Sequence, residues 1–446
     1  MSESTIEPPL SSRDGKPRSG AFARFAALPG WARWSLAATI GILLLAIVQD
    51  LSGTESLTTT LSSQTALKWS MPVLIAGIGG LFSERSGVVN IGLEGMMVFG
   101  TWFAAWGAID GTLWGPLDGS PWTGLMWATI AGALGGLLHA IATVHFGVDQ
   151  IVSGVAINLL GPGLSRYLSE RIFVNYQGGS QTQSPRVGGL GDFTMPFLAG
   201  GRIGDWKSPD LLGSIENSDA FFFSDAAGLL RGTMFELRYF TVLGLILTAV
   251  AAWVLWRTRF GLRLRTSGEA PSAGESLGVN IYTYRYAGVV ISGALAGMAG
   301  GFIVLELAQL YRGGQTQGRG FIALAALIFG NWRAAGVLGG ALLFSYPLGL
   351  SFGLDDEKTT RALLLVIALA MVLLALSKLS QQKRTDAMIA AAIGAGSFIW
   401  FLLSDEAPSW LPNTMPFAVV LIVLVFASEN LRSPRALGIP YRRGGT

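Results

Sequence analysis

Three stretches of this 446-residue chain hold polar and ionisable side chains at spacings that let them act together. In "ERSGVVNIGLEGMM", residues 84–97, Glu84 and Arg85 end one apolar run and Ser86-Gly87 break it. Asn90 and Glu94 then fall i, i+4 on one helical face of the next run. A carboxylate is costly in lipid, so Glu94 must face a bundle interior, a cavity or a partner. It either lines a polar passage or is a structural acid that caps or pins the helix break. In "ELAQLYRGGQTQGRGF", residues 306–321, Glu306, Gln309 and Gly313 share a helical face ahead of a loop with Arg312, Gln315, Gln317 and Arg319. Amide side chains offer donors and acceptors without a charge to desolvate, which suits neutral polyhydroxyl or nucleobase solutes. A solvated external turn explains the same residues. Asn158, beside Gly161-Pro162-Gly163, is a similar case. In "RTSGEAPSAGESLGVNIYTYRYAG", residues 265–288, Arg263 and Arg265 lead into a Ser-Gly turn. Pro271 suits the first turn of a helix and Gly278 its stop. One or two helical turns in so polar a link fit a groove in a partner protein, or form an ordinary interfacial loop.

Much other chemistry is excluded. The chain has no cysteine, so thiolate catalysis, disulfides and cysteine–zinc sites are ruled out. Its two histidines, His139 and His145, are not on one helical face and no carboxylate joins them, so they read as interfacial histidines and no metal or cofactor is expected. No G-x-x-x-x-G-K-[ST] occurs, so the chain does not cradle ATP phosphates in that way. The net charge of +3 with a pI near 9.2 reflects membrane topology rather than nucleic-acid binding.

The elements that position these residues are membrane helices. The chain is 51% hydrophobic and 13% charged, with mean hydropathy +0.49, where soluble domains carry roughly 25% charged residues. Apolar segments fall at 32–50, 66–82, 90–108, 122–145, 150–168, 237–257, 284–308, 320–332, 334–353, 361–378, 387–404 and 413–428. Lipid offers no partners to backbone groups, so these are predicted helices. Segment 150–168, interrupted at Gly161-Pro162-Gly163, and the short 320–332 read as broken or half-helices, the latter presenting its N-terminus to a pathway. The predicted fold is an all-α polytopic bundle of about 10–12 spans.

Lys and Arg set the orientation. Arg13, Lys16, Arg18 and Arg24 in the tail 1–31, the 257–285 loop, the 378–386 loop, and Arg432, Arg435, Arg442 and Arg443 in the tail 429–446 form the basic set. The links at Asp110 and Asp118, Asp355–Glu357 and Asp405-Glu406 are acidic. Both termini and the 257–285 loop are therefore expected in the cytoplasm, and the first span is expected to be uncleaved. Two transmembrane halves, 32–170 and 237–428, flank a hydrophilic external insertion, 171–236. Glycines four apart, as in Gly132/Gly136, Gly293/Gly297/Gly301 and Gly336/Gly340, predict closely packed helices.

"TRFGLRLRTSGEAPSAGESLGVNIYTYRYAGVVISGALAGMAGG" resembles the cytoplasmic loop and following helix of permease subunits of ABC importers, in the branch with simple-sugar and nucleoside permeases. "GLFSERSGVVNIGLEGMMVFGTWFAAW", "VDQIVSGVAINLLGPGLSRYL" and "GRGFIALAALIFGNWRAAGVLGGALLF" resemble the nucleoside-type permeases in the same order. The likeness covers roughly residues 82–175 and 237–350, and departs at 171–236 and after 380. It implies a non-catalytic pathway subunit in the cell inner membrane, surrounded by lipid and paired with a second permease, the same or different. Separate cytoplasmic ATP-binding subunits would drive it and an external solute-binding protein would feed it. It further implies that 263–278 is the coupling helix, with Arg263, Gly268, Glu269, Ala273 and Gly278 in the contact with the ATPase, and that the insertion is a candidate contact for the binding protein. A stand-alone ion-coupled secondary transporter of a small polar solute, which would use embedded acids such as Glu94 and Glu306, is the alternative. A membrane-embedded enzyme such as a lipid-modifying transferase lacks a catalytic constellation.

Overall fold

A computed structural model describes residues 29–442 apart from 55, 110–118, 219, 354–356, 405–407, 409 and 428–430. The basic residues of the N-terminal tail, Arg443 and the acidic links at 110–118, 355–356 and 405–406 lie outside the described residues.

Each of the twelve apolar segments contains a helix. In chain order the first are α1 (Gly30–Ser52), α2 (Thr60–Arg85), α3 (Leu93–Ile109), α4 (Pro121–Ala140, continued by a π turn Ile141–His145) and α5 (Gln150–Arg171). Short α6 (Leu211–Glu216) and α7 (Phe223–Arg231) follow in the insertion. Then come α8 (Tyr239–Arg257), α9 (Arg259–Glu269), α10 (Pro271–Ser276), α11 (Ile281–Phe302, continued by a π turn Ile303–Ala308), α12 (Arg319–Phe329), α13 (Ala334–Gly353), α14 (Glu357–Ser380), α15 (Arg384–Leu403) and α16 (Leu411–Ala427). Local chemistry sets several starts. Thr59 caps α2, Ser120 precedes Pro121 at the head of α4, and Asp149 accepts the Ile151 and Val152 amides at the head of α5.

Among the described residues, six helical segments are long and apolar enough to cross a membrane by length and composition: Thr60–Arg85, Pro121–His145, Tyr239–Arg257, Ile281–Ala308, Arg361–Ser380 and Arg384–Leu403. The remaining helices are shorter or more polar. Helix α2 is the axis of the bundle, with 83% of its span buried by protein against 17% for α15 at the periphery. Its 26 residues rise about 39 Å, enough to connect two ends of the molecule.

The glycines at four-residue spacing do bring helices together. A Cβ on Gly132 of α4 would lie 2.2 Å from the Gly293 carbonyl of α11, and one on Gly297 would lie 2.2 Å from the Ala128 carbonyl. Gly100 of α3 meets the Gly297 carbonyl in the same manner, at 2.0 Å. Backbone contact of this kind supplies the van der Waals adhesion that lipid-immersed helices need.

Several local expectations change. Helix α5 runs unbroken through Pro162; Gly161 packs against Gly95 and Gly154 against Gly92, so these glycines serve close approach rather than a break. Ser267 and Gly268 lie inside α9 and form no turn. His139 is fully buried, hydrogen-bonded to Ser153 Oγ at 2.9 Å and the Val89 carbonyl at 3.0 Å, and is not interfacial. The expected half-helix at 320–332 does form, as eleven-residue α12. It starts near the middle of α2, where Ala323 meets Gly77, and ends where Trp332 meets Glu84 and Arg85.

Segment 171–236 is ordered into a cap. It contains β1 (Asp192–Phe193), β2 (Arg202–Ile203), β3 (Trp206–Lys207), α6 and α7; β2 pairs with β3, and β1 pairs antiparallel with β4 (Leu237–Arg238) just beyond it. Arg231 of α7 bridges Asp210 at 2.6 Å and Glu216 at 3.3 Å, and Glu216 in turn accepts the Thr60 amide at 2.9 Å. The cap is thereby fastened to the first turn of α2. Burial pushes the Asp210 carboxyl up, but the hydrogen bonds from Arg231 and the Gly213 amide, with the charges of Arg231 and Lys207, outweigh it and hold the group below its ordinary value.

Candidate functional site

Asn90 and Glu94 of the first stretch sit where α3, α5, α11 and α12 converge. Residues 86–92 are non-helical, so Asn90 lies ahead of α3 and does not share a helical face with Glu94. Non-helical backbone inside a membrane bundle survives only when wrapped in protein or lining a cavity. Asn90 is fully buried and donates to Ser292 Oγ at 2.9 Å; its Oδ1 is buried with no hydrogen-bond partner among the described residues. Asn158 accepts the Gly95 amide at 2.8 Å and donates to the Ile91 carbonyl at 3.0 Å, tying α5 to both sides of the α3 start.

Glu94 crosses to the half-helix α12. Its carboxylate accepts the Gly318 amide at 2.9 Å and the Gly320 amide at 2.7 Å. Those amides belong to the head of α12, where a helix leaves donors unmet and favours negative charge. Glu94 therefore occupies the N-terminus that α12 was expected to present to a pathway.

The second stretch divides. The helix ends at Ala308, and Gln309 adopts a left-handed conformation (φ 53°), so Glu306, Gln309 and Gly313 do not share a helical face. Glu306 accepts the Leu190 amide at 2.9 Å and lies 3.8 Å from Arg238, facing the cap. Gln309 is exposed, its carbonyl accepting the Val187 amide at 2.9 Å. Gln315 lines a cavity of about 370 Å³ together with Trp69, Leu307, Leu310, Gln317 and Arg319. The Arg319 guanidinium sits 4.9 Å above the Trp69 ring and donates to the carbonyls of Gln315 and Thr316. Arg319 Nε and Gln315 Nε2 are buried donors without hydrogen-bond partners among the described residues. Apolar walls, an indole and unmatched donors suit an uncharged solute rich in acceptors.

The third stretch lies at the opposite end of α2 from the cap. Ser267 Oγ donates to the Ser86 carbonyl at 2.9 Å, a Cβ on Gly268 would lie 2.4 Å from the Arg85 carbonyl, and Glu269 pairs with Arg85 at 3.4 Å. Arg263 donates to the Tyr284 hydroxyl at 3.2 Å. Helix α10 starts on Pro271 and is followed by Gly278 at φ 80°, as its sequence predicts. Ala273 and Gly278 are exposed, and between them Leu277 is 83% exposed, an unusual setting for leucine. Gly268 thus faces the bundle and the exposed Glu269 reaches back to Arg85, while Ala273, Leu277 and Gly278 face outward.

Three features escape a reading of the sequence. Glu84, expected at the edge of a span, is buried and accepts the Trp332 indole N–H. Arg285, inside α11, is 2% exposed and donates to the Ile439 carbonyl at 2.9 Å. Residues 431–442 pack against the α9–α10 end. Trp332 is the one partner whose residue type hints at a buried acceptor, because an indole N–H that leaves water needs one; nothing in the sequence announces the other two.

Comparison with known proteins gives one family: "Branched-chain amino acid transport system / permease component" matches residues 62–376. The guanosine ABC transporter permease protein NupQ of Bacillus subtilis is 37% identical over 293 residues, 64% of this chain and 80% of that protein. The nucleoside ABC transporter permease protein NupC of Lactococcus lactis is 37% identical over 279 residues, 62% of this chain and 78% of NupC. The glucose ABC transporter permease protein TsgB13 of Haloferax volcanii is 23% identical over 296 residues, covering 65% and 69%. No solved structure matches the chain.

Proposed function

Because the chain belongs to the family of permease components of branched-chain amino acid transport systems, we propose that it is the pathway subunit of an ATP-driven importer of nucleosides or related simple sugars. The subunit is multi-pass in the cell inner membrane and performs no chemistry. Two permeases, identical or different, pair to enclose the route. ATP-binding subunits dock from the cytoplasm on α10, and an external solute-binding protein docks on the cap, where Phe197, Trp206, Phe221 and Phe223 are exposed. Both termini lie on the side of the ATPase.

The observation that carries this reading is the α9–α10 pair. It offers an exposed apolar tip at Leu277 while its inner face is bonded to the end of α2 and the start of the non-helical 86–92 segment. A push on α10 therefore has a physical route to Asn90 and the half-helix α12, which is what alternating access requires. The nucleoside assignment draws on the names of NupQ and NupC and on the cavity beside Trp69, whose indole and amide donors match a neutral base or sugar.

Purification from the native membrane in mild detergent tests the proposal. A stoichiometric ATP-hydrolysing subunit should accompany the chain, and guanosine uptake into vesicles should require ATP. Uptake by the chain alone under a proton or sodium gradient would make it a secondary transporter instead.

A further inference from the structure

The family match ends at residue 376, yet the last described residues, 431–442, are knitted into the α9–α10 end. The Arg432 amide donates to Asn331 Oδ1 at 2.8 Å, just past α12. The Arg435 amide reaches Glu269 at 3.3 Å, and the Ala436 amide donates to the Gly268 carbonyl at 2.8 Å. Gly438, in the left-handed region at φ 80°, directs its amide to the Gly87 carbonyl at 3.2 Å. The Ile439 carbonyl accepts from buried Arg285 at 2.9 Å. Tyr441 donates to Glu275 of α10, and its ring lies 5.6 Å from that of Tyr282 and 5.6 Å below the Arg285 guanidinium.

One short segment thus touches α9, α10, the 86–92 segment, the end of α12 and the start of α11. These are the parts between which a stroke must pass; apart from the tail, α10 is joined to them through Ala270, a single non-helical residue, through Gly278, and by the packing of Gly274 on Thr266 and Ile281. Most of the contacts are made by backbone amides and carbonyls, which hold distance and direction better than paired surface charges do.

We propose that residues 434–442 form a positioning strap that fixes α9 and α10 against the 86–92 segment and α11, so that displacement of α10 is delivered to the pathway instead of being absorbed by rotation at Ala270. The role rests on the reading that α10 receives an ATPase subunit.

Two measurements decide it. The first needs no partner: hydrogen exchange of the full chain, a chain ending at Leu431, and Ala436→Pro, which lacks the amide bonded to Gly268. Loss of the strap is expected to speed exchange in 266–282 by about tenfold or more while 60–85 is unchanged. Equal exchange in 266–282, or equal acceleration in both regions, overturns the strap. The second uses the permease with its co-purified ATPase in vesicles, and reads guanosine moved per ATP hydrolysed. With the ATPase still bound, that ratio is expected to fall about fivefold on truncation and about twofold in Tyr441→Phe. An unchanged ratio overturns the proposal. Loss of the ATPase from the truncated chain alone overturns it too, because the tail would then be a docking face. If the full chain binds no ATPase, the importer reading fails, and the exchange experiment still decides whether the strap exists.

Discussion

The two ends of α2 are built on different physics. At its start, the cap is fastened chiefly through acidic side chains: Glu216, braced within the cap by Arg231, accepts the Thr60 amide and hydroxyl, and Asp225 accepts the Thr58 hydroxyl, with Gly228 and Gly232 packed on the Thr58 and Thr60 carbonyls. At its finish, α9, α10 and the C-terminal tail are fastened mainly by main-chain bonds and by glycine contacts too close for a side chain, together with the Arg85–Glu269 ion pair. Charged fastenings tolerate small shifts and respond to pH and salt. Backbone contacts have one geometry and transmit strain. A cap that meets a mobile external protein gains from the first kind of attachment, and an end that receives a mechanical push gains from the second.

The largest effect should come from cutting the body that joins the two ends. Gly293→Val places a side chain where even a Cβ would lie 2.3 Å from the Gly132 carbonyl; overpacking of this kind costs about 1–3 kcal/mol, and the melting temperature in detergent should fall by several degrees with both ends loosened. Next, Glu94→Ala strips the head of α12 of its acceptor. Leaving the Gly318 and Gly320 amides unmet should cost about 1–3 kcal/mol, with Glu94→Gln milder; lost uptake at unchanged melting would instead make Glu94 a solute contact. Third, Glu269→Lys replaces one partner of an exposed pair, so stability should change by less than about 1 kcal/mol, while ATP hydrolysis continues without uptake. If melting and uptake fall together, the coupling end is merely structural. The smallest effect concerns pH. The depressed pKa of Asp210 adds stability that is present above its unfolded value of about 4 and is lost as pH falls through the folded value. Exchange in 202–231 should therefore rise below pH about 4, ahead of any rise in 266–282.

The sequence shows the parts whose cause is local. Glycines four apart, Pro271 and Gly278 each do what their chemistry requires of short-range geometry, so the glycine seam and α10 can be read directly. The helical ends of the apolar runs follow from lipid alone. The candidate pathway residues are harder to read. "VVNIG" is apolar enough to pass for helix, and only contact with Ser292 and Ile157 reveals it as a buried non-helical turn. Pro162 suggests a break, but α5 continues through it, pinned just ahead of the proline by Asn158 and by Gly161 against Gly95. The tail is invisible for the same reason: its partners lie more than a hundred residues away, and it meets them mostly with its own main-chain atoms, which no pattern of side chains announces.

Helix α12 carries a further consequence. A dipole end buried in a protein ordinarily beckons phosphate or carboxylate, but here an acid of the same chain already sits on it. Cargo bearing its own anionic group would find those amides already taken. A phosphorylated nucleoside should therefore compete poorly with its unphosphorylated parent, a form of customs control exercised by one glutamate.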